Sequence, residues 1–206
     1  MRTAITASLF GAYLIALCPG TSAADLPVDL ELVLAVDVSR SVDDEEAALQ
    51  RSGYIKAFRH PSILDAITHG PFGRIAVTYF EWAGYARIRP VVPWMVITDR
   101  ASAEAFVRIL ETDEPEQGRR TSISGAIDYG AASFENNGFT ARRRVIDISG
   151  DGANNSGGIV TVARDRAIKD GITINGLPIV NGRPTMSGWA QVENLDLFYR
   201  DCVIGG

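Results

Sequence analysis

From Leu30 to Val38 the chain runs Leu-Glu-Leu-Val-Leu-Ala-Val-Asp-Val, an almost unbroken apolar stretch. A run so rich in Val and Leu predicts a strand covered on both faces, as in the middle of a parallel sheet. Beyond it the period lengthens. Asp43, Asp44, Glu45 and Glu46 fill a first helical turn, where carboxylates complement the helix dipole, and Ala48, Leu49, Ile55 and Phe58 follow at helical spacing. A strand therefore feeds a helix through Ser39-Arg40-Ser41. Arg74 to Trp82 and Arg87 to Ile97 are apolar or alternating stretches around Gly84. They predict two strands joined by a short turn, and so paired antiparallel. Pro90 and Pro93 assign the second to a sheet edge, because proline has no N–H to give a neighbour.

Further on, Ala101 to Leu110 predicts a helix, followed by an acidic loop at Asp113-Glu114-Pro115-Glu116. Ile123, Ile127, Ala131 and Phe134 then fall on one helical face. Arg144 to Ser149 predicts a strand, Gly152 to Gly158 a loop rich in Gly and Asn, and Val160 to Lys169 a helix closed by Gly171. Ile172 to Val180 predicts another strand and Val192 to Tyr199 a short helix. This alternation specifies an α/β fold, a doubly wound and mostly parallel sheet with helices on both faces.

The ends of the chain modify that picture. Arg2 precedes an apolar run from Ala4 to Leu17, and Thr21-Ser22-Ala23-Ala24 offers small residues for cleavage. This is the pattern of a secretory signal peptide over residues 1–24. Thr6, Ser8 and Gly11 interrupt the run, which falls short of the ~20 apolar residues a spanning helix needs. Residues 25–206 then form one exported domain with no membrane span after cleavage, periplasmic or secreted. The residues before Gly205-Gly206 read as the start of a strand, so the domain is expected to lack its last strand and helix. Cys202, the one cysteine left after cleavage, either pairs beyond the chain end or is a buried free thiol.

With 46% hydrophobic and 22% charged residues in 206, the composition is that of a folded globular protein. The net charge of −5 becomes one unit more negative without Arg2. That balance argues against a nucleic-acid binder, which must neutralise phosphates.

The chemistry lies in three separated segments. Asp37-Val38-Ser39-Arg40-Ser41 follows the first strand, Thr121 opens a helix, and Asp151 follows the strand ending at Ser149. In an open α/β sheet, ligands bind beyond the carboxyl ends of the strands where strand order reverses. Alternation points Asp37, Ser39 and Ser41 the same way if the backbone is extended. Carboxylates and hydroxyls are hard oxygen donors suited to Mg²⁺, and neither Cys nor His is near enough in sequence to suggest zinc or copper. N-cap and turn hydroxyls are the structural alternative for each segment taken singly.

Together these segments resemble the metal-ion-dependent adhesion site of the von Willebrand factor A domain family, over roughly Asp29 to the end. The resemblance implies a Rossmann-like von Willebrand A fold in which Ser39 and Ser41 bind Mg²⁺ or Mn²⁺ directly. Asp37 acts mostly through water, and Thr121 and Asp151 complete the set. It further implies one position left open for an acidic side chain of a protein partner. Val36 to Asp43, Val145 to Asn155 and Tyr199 to Gly206 resemble more closely a family of exported bacterial von Willebrand A-like proteins without an assigned activity. Two departures stand out: Gly150 occupies the place of a threonine, and Arg119-Arg120 replace small residues. The arginines either steer an acidic ligand from the rim or are exposed turn residues.

The expected function is a divalent-metal-dependent protein-binding module, with no catalytic residues. A structural or oligomerising envelope protein with a vestigial site, using aromatic contacts at Tyr79, Phe80, Trp82 and Tyr85, is the alternative. A metal-dependent hydrolase is disfavoured, because His60 and His69 lie outside the three segments and no nucleophile elbow is present. Asp147, a carboxylate within an apolar strand, either supports the site from behind or is a hydrogen-bonded structural acid. Asn154 and Asn155 either shape the loop after Asp151 or contact a ligand, the first being favoured.

Overall fold

Strand β2 (Glu31–Asp37) occupies the middle of a five-stranded sheet because nearly all its side chains are apolar and can be covered on both faces. The computed structural model describes residues 24–180 and 193–206, so the signal-peptide segment lies outside it except for Ala24. In chain order the elements are β1 (Leu26–Pro27), β2, α1 (Asp44–Arg59), α2 (Pro61–Thr68), β3 (Ile75–Trp82), β4 (Ile88–Ile97) and α3 (Arg100–Thr112). Then come α4 (Ile123–Ala132), β5 (Phe139–Thr140), β6 (Arg144–Gly150), α5 (Val160–Lys169), β7 (Ile172–Pro178) and α6 (Leu195–Phe198). The last runs on into a π-helical turn at Tyr199–Val203.

The main sheet has the order β4-β3-β2-β6-β7, with only β3 and β4 antiparallel. Strand order reverses on either side of β2, so the crevice expected for a ligand opens where β2 and β6 end. The proline-bearing β4 takes the edge. Side chains of β2 alternate between two cores. Val33 and Ala35 pack with Ile123 and Ile127 of α4, Ala163 and Ala167 of α5, and Leu195. Leu34 and Val36 pack with Phe58 of α1, Leu64 and Ile67 of α2, and Phe106 and Leu110 of α3. Full burial of each Val, Leu, Ile or Phe among them is worth about 1.5–3 kcal/mol, and the helices on the two faces thereby hold the sheet between two cores.

Capping sets where the helices begin. Asp43 accepts from Glu46 N at 2.8 Å while Glu46 Oε2 accepts from Asp43 N at 3.0 Å, a reciprocal pair that starts α1 at Asp44, shortly after β2 ends at Asp37. Helix α2 was not anticipated. His60 ends α1 and also caps α2, whose first residue is Pro61. A second surprise is an ionic cluster that includes the buried Glu81 on β3. Its carboxylate accepts from Arg51 of α1 and from Arg89 of β4, and both guanidiniums also reach Asp113 at the end of α3. The residue read as part of an acidic loop thus joins four elements.

The residues before Gly205 differ from expectation too. They form the π-helical turn rather than a strand, because Tyr199 and Val203, four apart, are both fully buried against the sheet. Gly205 still bonds back to Ile174 in an isolated antiparallel bridge. The predicted helix from Val192 begins at Leu195, and Val192 itself lies outside the described residues.

Candidate metal centre

Asp37 is the last residue of β2 and is fully buried. Its Oδ1 accepts from Ser39 N at 2.7 Å, which orients the carboxylate along the outgoing chain. The expectation of an extended Asp37–Ser41 segment is corrected: Arg40 and Ser41 lie in a turn closed by Val42 N donating to Ser39 O at 2.9 Å. The chain must leave the sheet and reach the Asp43 cap, and a turn is the short way to do so. It brings the hydroxyls together all the same. Ser39 Oγ and Ser41 Oγ are 2.9 Å apart, Thr121 Oγ1 is 3.4 Å from Ser39 Oγ, and Ser41 Oγ donates to Asp151 Oδ1 at 2.7 Å.

Thr121 is held by its backbone. Asn155 Oδ1 accepts from Thr121 N at 2.9 Å, while Asn155 N and Ser156 N donate to Thr121 O at 2.9 and 3.1 Å. Asn154 Oδ1 accepts from Ser124 N at 3.1 Å and caps the start of α4 from outside. Two glycines let this loop lie against the ends of β2 and β3. A Cβ on Gly118 would sit 2.3 Å from Ala83 Cβ, and one on Gly84 would sit 2.7 Å from Arg119 O. Gly118 N meanwhile donates to Val38 O at 2.8 Å, tying the loop to the segment that carries the serines. Arg120, with φ of 67°, turns the chain before Thr121 and lines the open cavity of about 540 Å³ above the hydroxyls.

Electrostatics in the cluster favour a positive guest. Burial pushes the Asp37 carboxyl well above the usual carboxylate range, and the charge of Asp151 pushes it further, against the lowering effect of the Ser39 hydrogen bonds. Asp151 is raised by burial as well; its bond from Ser41 opposes this, and the charges of Glu46 and Asp43 add to it. Asp37 Oδ2 and Asp151 Oδ2 are both buried without a hydrogen-bond partner. Two orphaned acidic oxygens beside three hydroxyls are what a hard divalent ion with retained waters would satisfy. Among the described residues no group of three or more His, Cys, Asp or Glu is assembled, so a donor set here must include the hydroxyls.

The other residues singled out from sequence fall elsewhere. Asp147 accepts from Asn175 Nδ2 at 2.7 Å and lines an apolar cavity with Leu32, Leu34 and Tyr54, on the α1 face of the sheet. It is a hydrogen-bonded structural acid. His60 and His69 both cap α2. Tyr79, Phe80 and Trp82 are fully buried, whereas Tyr85 is exposed. Cys202 is a partly buried free thiol.

Sequence reasoning missed Tyr199, whose phenol is buried in the wall of the crevice without a partner. Burial, then the charges of Asp37 and Asp151, hold it well above the ordinary phenol range. The signal available was Gly150. A Cβ there would meet Tyr199 Oη at 2.8 Å and Asp37 Oδ2 at 2.9 Å.

Residues 27–206 match the family described as protein of unknown function (DUF1194). The chain belongs to that family. Among solved structures, this DUF1194 chain resembles proximal thread matrix protein 1 from the mussel byssus, with 14% identity and a TM-score of 0.58. The alignment covers 78% of this chain and 40% of the mussel protein. A second form of that protein, described as having a zinc-occupied MIDAS motif, aligns with a TM-score of 0.54 at 15% identity, over 78% and 40% of the two chains. BatB from Bacteroides thetaiotaomicron aligns with a TM-score of 0.53 at 20% identity over 79% of this chain and 80% of BatB. These likenesses establish a von Willebrand A-like fold for this DUF1194 chain. No curated protein matches it by sequence. None of its described helices is long and apolar enough to cross a membrane.

Proposed function

We propose that this chain is an exported protein-binding module whose grip on its partner depends on a divalent cation, Mg²⁺ or Mn²⁺. Ser39, Ser41 and Thr121 would supply hydroxyl ligands, with Asp37 and Asp151 providing charge directly or through water. The observation that carries this reading is the meeting of those three hydroxyls with two buried carboxylate oxygens that lack any donor. An ion placed there would neutralise both acids. Its remaining position would face the open cavity and accept a carboxylate from a partner protein, and Arg120 at the cavity wall would favour the approach of that acidic group. The zinc-occupied motif named for the mussel protein, which shares the fold, supports divalent-ion binding in general.

The bound ion, when present, would supply charge and an open coordination position; the chain's hydroxyls and carboxylates would hold it in place. The Ser41 hydroxyl bonded to Asp151 is read as part of the cation's donor set, and the module as a binder and not an enzyme. Residues 1–24 would direct it to the periplasm or outside.

The test is a thermal melt of the mature protein with Mg²⁺, Mn²⁺, Ca²⁺ or Zn²⁺ added after chelation, repeated for Asp37→Asn. A cation-dependent rise in wild type that the variant lacks supports the centre. Partner capture from envelope extract that ignores chelator would instead favour a structural role with a vestigial site.

A further inference from the structure

Three buried oxygens around the crevice have no partner: Asp37 Oδ2, Asp151 Oδ2 and Tyr199 Oη. The first two are acceptors and await a cation. The third carries a proton and belongs to a residue far along the chain, at the junction of α6 with the π-helical turn. It is also fully buried, a costly position for a hydroxyl that donates to nothing.

Gly150 shows where that hydroxyl points. The site of its absent Cβ lies 2.8 Å from Tyr199 Oη and 2.9 Å from Asp37 Oδ2, so the two oxygens converge on one spot and are no further apart than one bridging water can span. A second glycine seats the ring: a Cβ on Gly176 of β7 would stand 2.6 Å from Tyr199 Cδ1. Two neighbouring strands therefore carry glycine where the tyrosine lies across them. Any side chain at position 150 would displace either the phenol or the Asp37 carboxylate.

We propose that Tyr199 is a positioning residue of the metal centre, its hydroxyl donating to Asp37 Oδ2 through one water. Ser39 N already holds Oδ1. With the phenol on Oδ2, both oxygens of Asp37 are oriented, and the carboxylate presents itself to the ion without having to be ordered on binding. The hydroxyl that Gly150 cannot supply comes from the last helical segment instead. This inference rests on the proposed cation site.

The experiment is a Mg²⁺ titration, followed by thermal melting and by circular dichroism, of wild type, Tyr199→Phe, Gly150→Ala and Asp37→Asn. Phenylalanine keeps the ring and removes only the hydroxyl, so the fold should hold with at most a small drop in the metal-free melting temperature, the loss of one hydrogen bond. Its Mg²⁺ affinity should fall about 10-fold or more, the usual effect of removing an outer partner of a ligating carboxylate. A purely structural tyrosine would show the opposite split, with lower stability and unchanged affinity. Gly150→Ala should likewise weaken Mg²⁺ binding, and adding Tyr199→Phe to it should cost less than the two changes separately, because the phenol no longer competes for the space. Wild-type affinity in Tyr199→Phe, or strict additivity in the double variant, overturns the role of Tyr199 while leaving the centre intact. If wild type itself shows no Mg²⁺ response, the centre and this inference fall together.

Discussion

Ser41 and Asp151 are 110 positions apart in sequence, yet the Ser41 hydroxyl donates to Asp151 Oδ1 at 2.7 Å. The bond spans the crevice between the ends of β2 and β6, the two strands that flank the reversal of strand order. It completes the hydrogen-bonded series Asp37–Ser39–Ser41–Asp151, which carries two acids and no basic side chain of its own. What such a series lacks is a cation.

Replacing Asp37 with Asn should separate stability from metal response. The amide oxygen can still accept from Ser39 N, while one of two mutually repelling buried charges is removed. The metal-free variant should melt at or above the wild-type temperature, yet gain nothing from Mg²⁺. Wild type at a 100-fold excess over Kd should gain about 2.7 kcal/mol, or roughly 5 to 10 °C in a chain of this size. Differential scanning calorimetry with and without chelator measures both effects.

Gly118→Ala should damage the centre from outside it. The new methyl would meet Ala83 Cβ at 2.3 Å, so the loop carrying Thr121 must move away from the ends of β2 and β3. Overpacking of this kind costs about 1–3 kcal/mol, and the displaced Thr121 should weaken Mg²⁺ binding. Adding Ala83→Gly removes the opposing methyl and should restore much of both. Urea denaturation and a Mg²⁺ titration of the single and double variants decide whether the contact is responsible.

Glu81→Ala should be among the most damaging single changes outside the hydrophobic cores. It would leave Arg51, itself almost wholly buried, with Asp113 as its remaining acidic partner, and would remove the tie from the Arg89 guanidinium to β3. Breaking one side of a buried ionic cluster costs about 3–5 kcal/mol. The loss should appear in urea denaturation with little change in the slope, and it should leave the Mg²⁺ response of the folded fraction in place.

Asp147→Asn should stabilise the protein near neutral pH. Burial raises the Asp147 carboxyl above its ordinary value, with the Asn175 bond as the opposing effect. A raised acid means that the folded state takes up its proton before the unfolded state does as pH falls. Wild type therefore recovers stability as pH drops through the folded value, until the unfolded chain also protonates near pH 3.9. The advantage of the asparagine, which can keep the bond from Asn175, should be largest above the folded value and shrink over that interval. Melting curves from pH 3 to pH 8 for both proteins give the difference directly.

Much of the architecture was written in local pattern. The apolar run before Asp37, the acidic turn from Asp43, the prolines of β4 and the glycine after α5 each act through backbone geometry or burial over a few residues, so position in the chain suffices to read them. Candidate ligands were legible for the same reason, since Asp37, Ser39, Ser41, Thr121 and Asp151 all stand at boundaries between apolar runs and helices. Convergence was not. It depends on a turn at Arg40-Ser41, on two glycines that let one loop lie against another, and on Asn155, which clamps Thr121 from the far side of the crevice. The neighbours of Glu81 and of Tyr199 escaped notice too, because their partners come from other elements brought near only by sheet order. Local sequence determined which segments would be strands and helices, through periodicity and capping. Tertiary packing alone decided that Gly150 leaves room for a phenol from the last helical segment, because that space exists only after β6, β7 and α6 have closed around it.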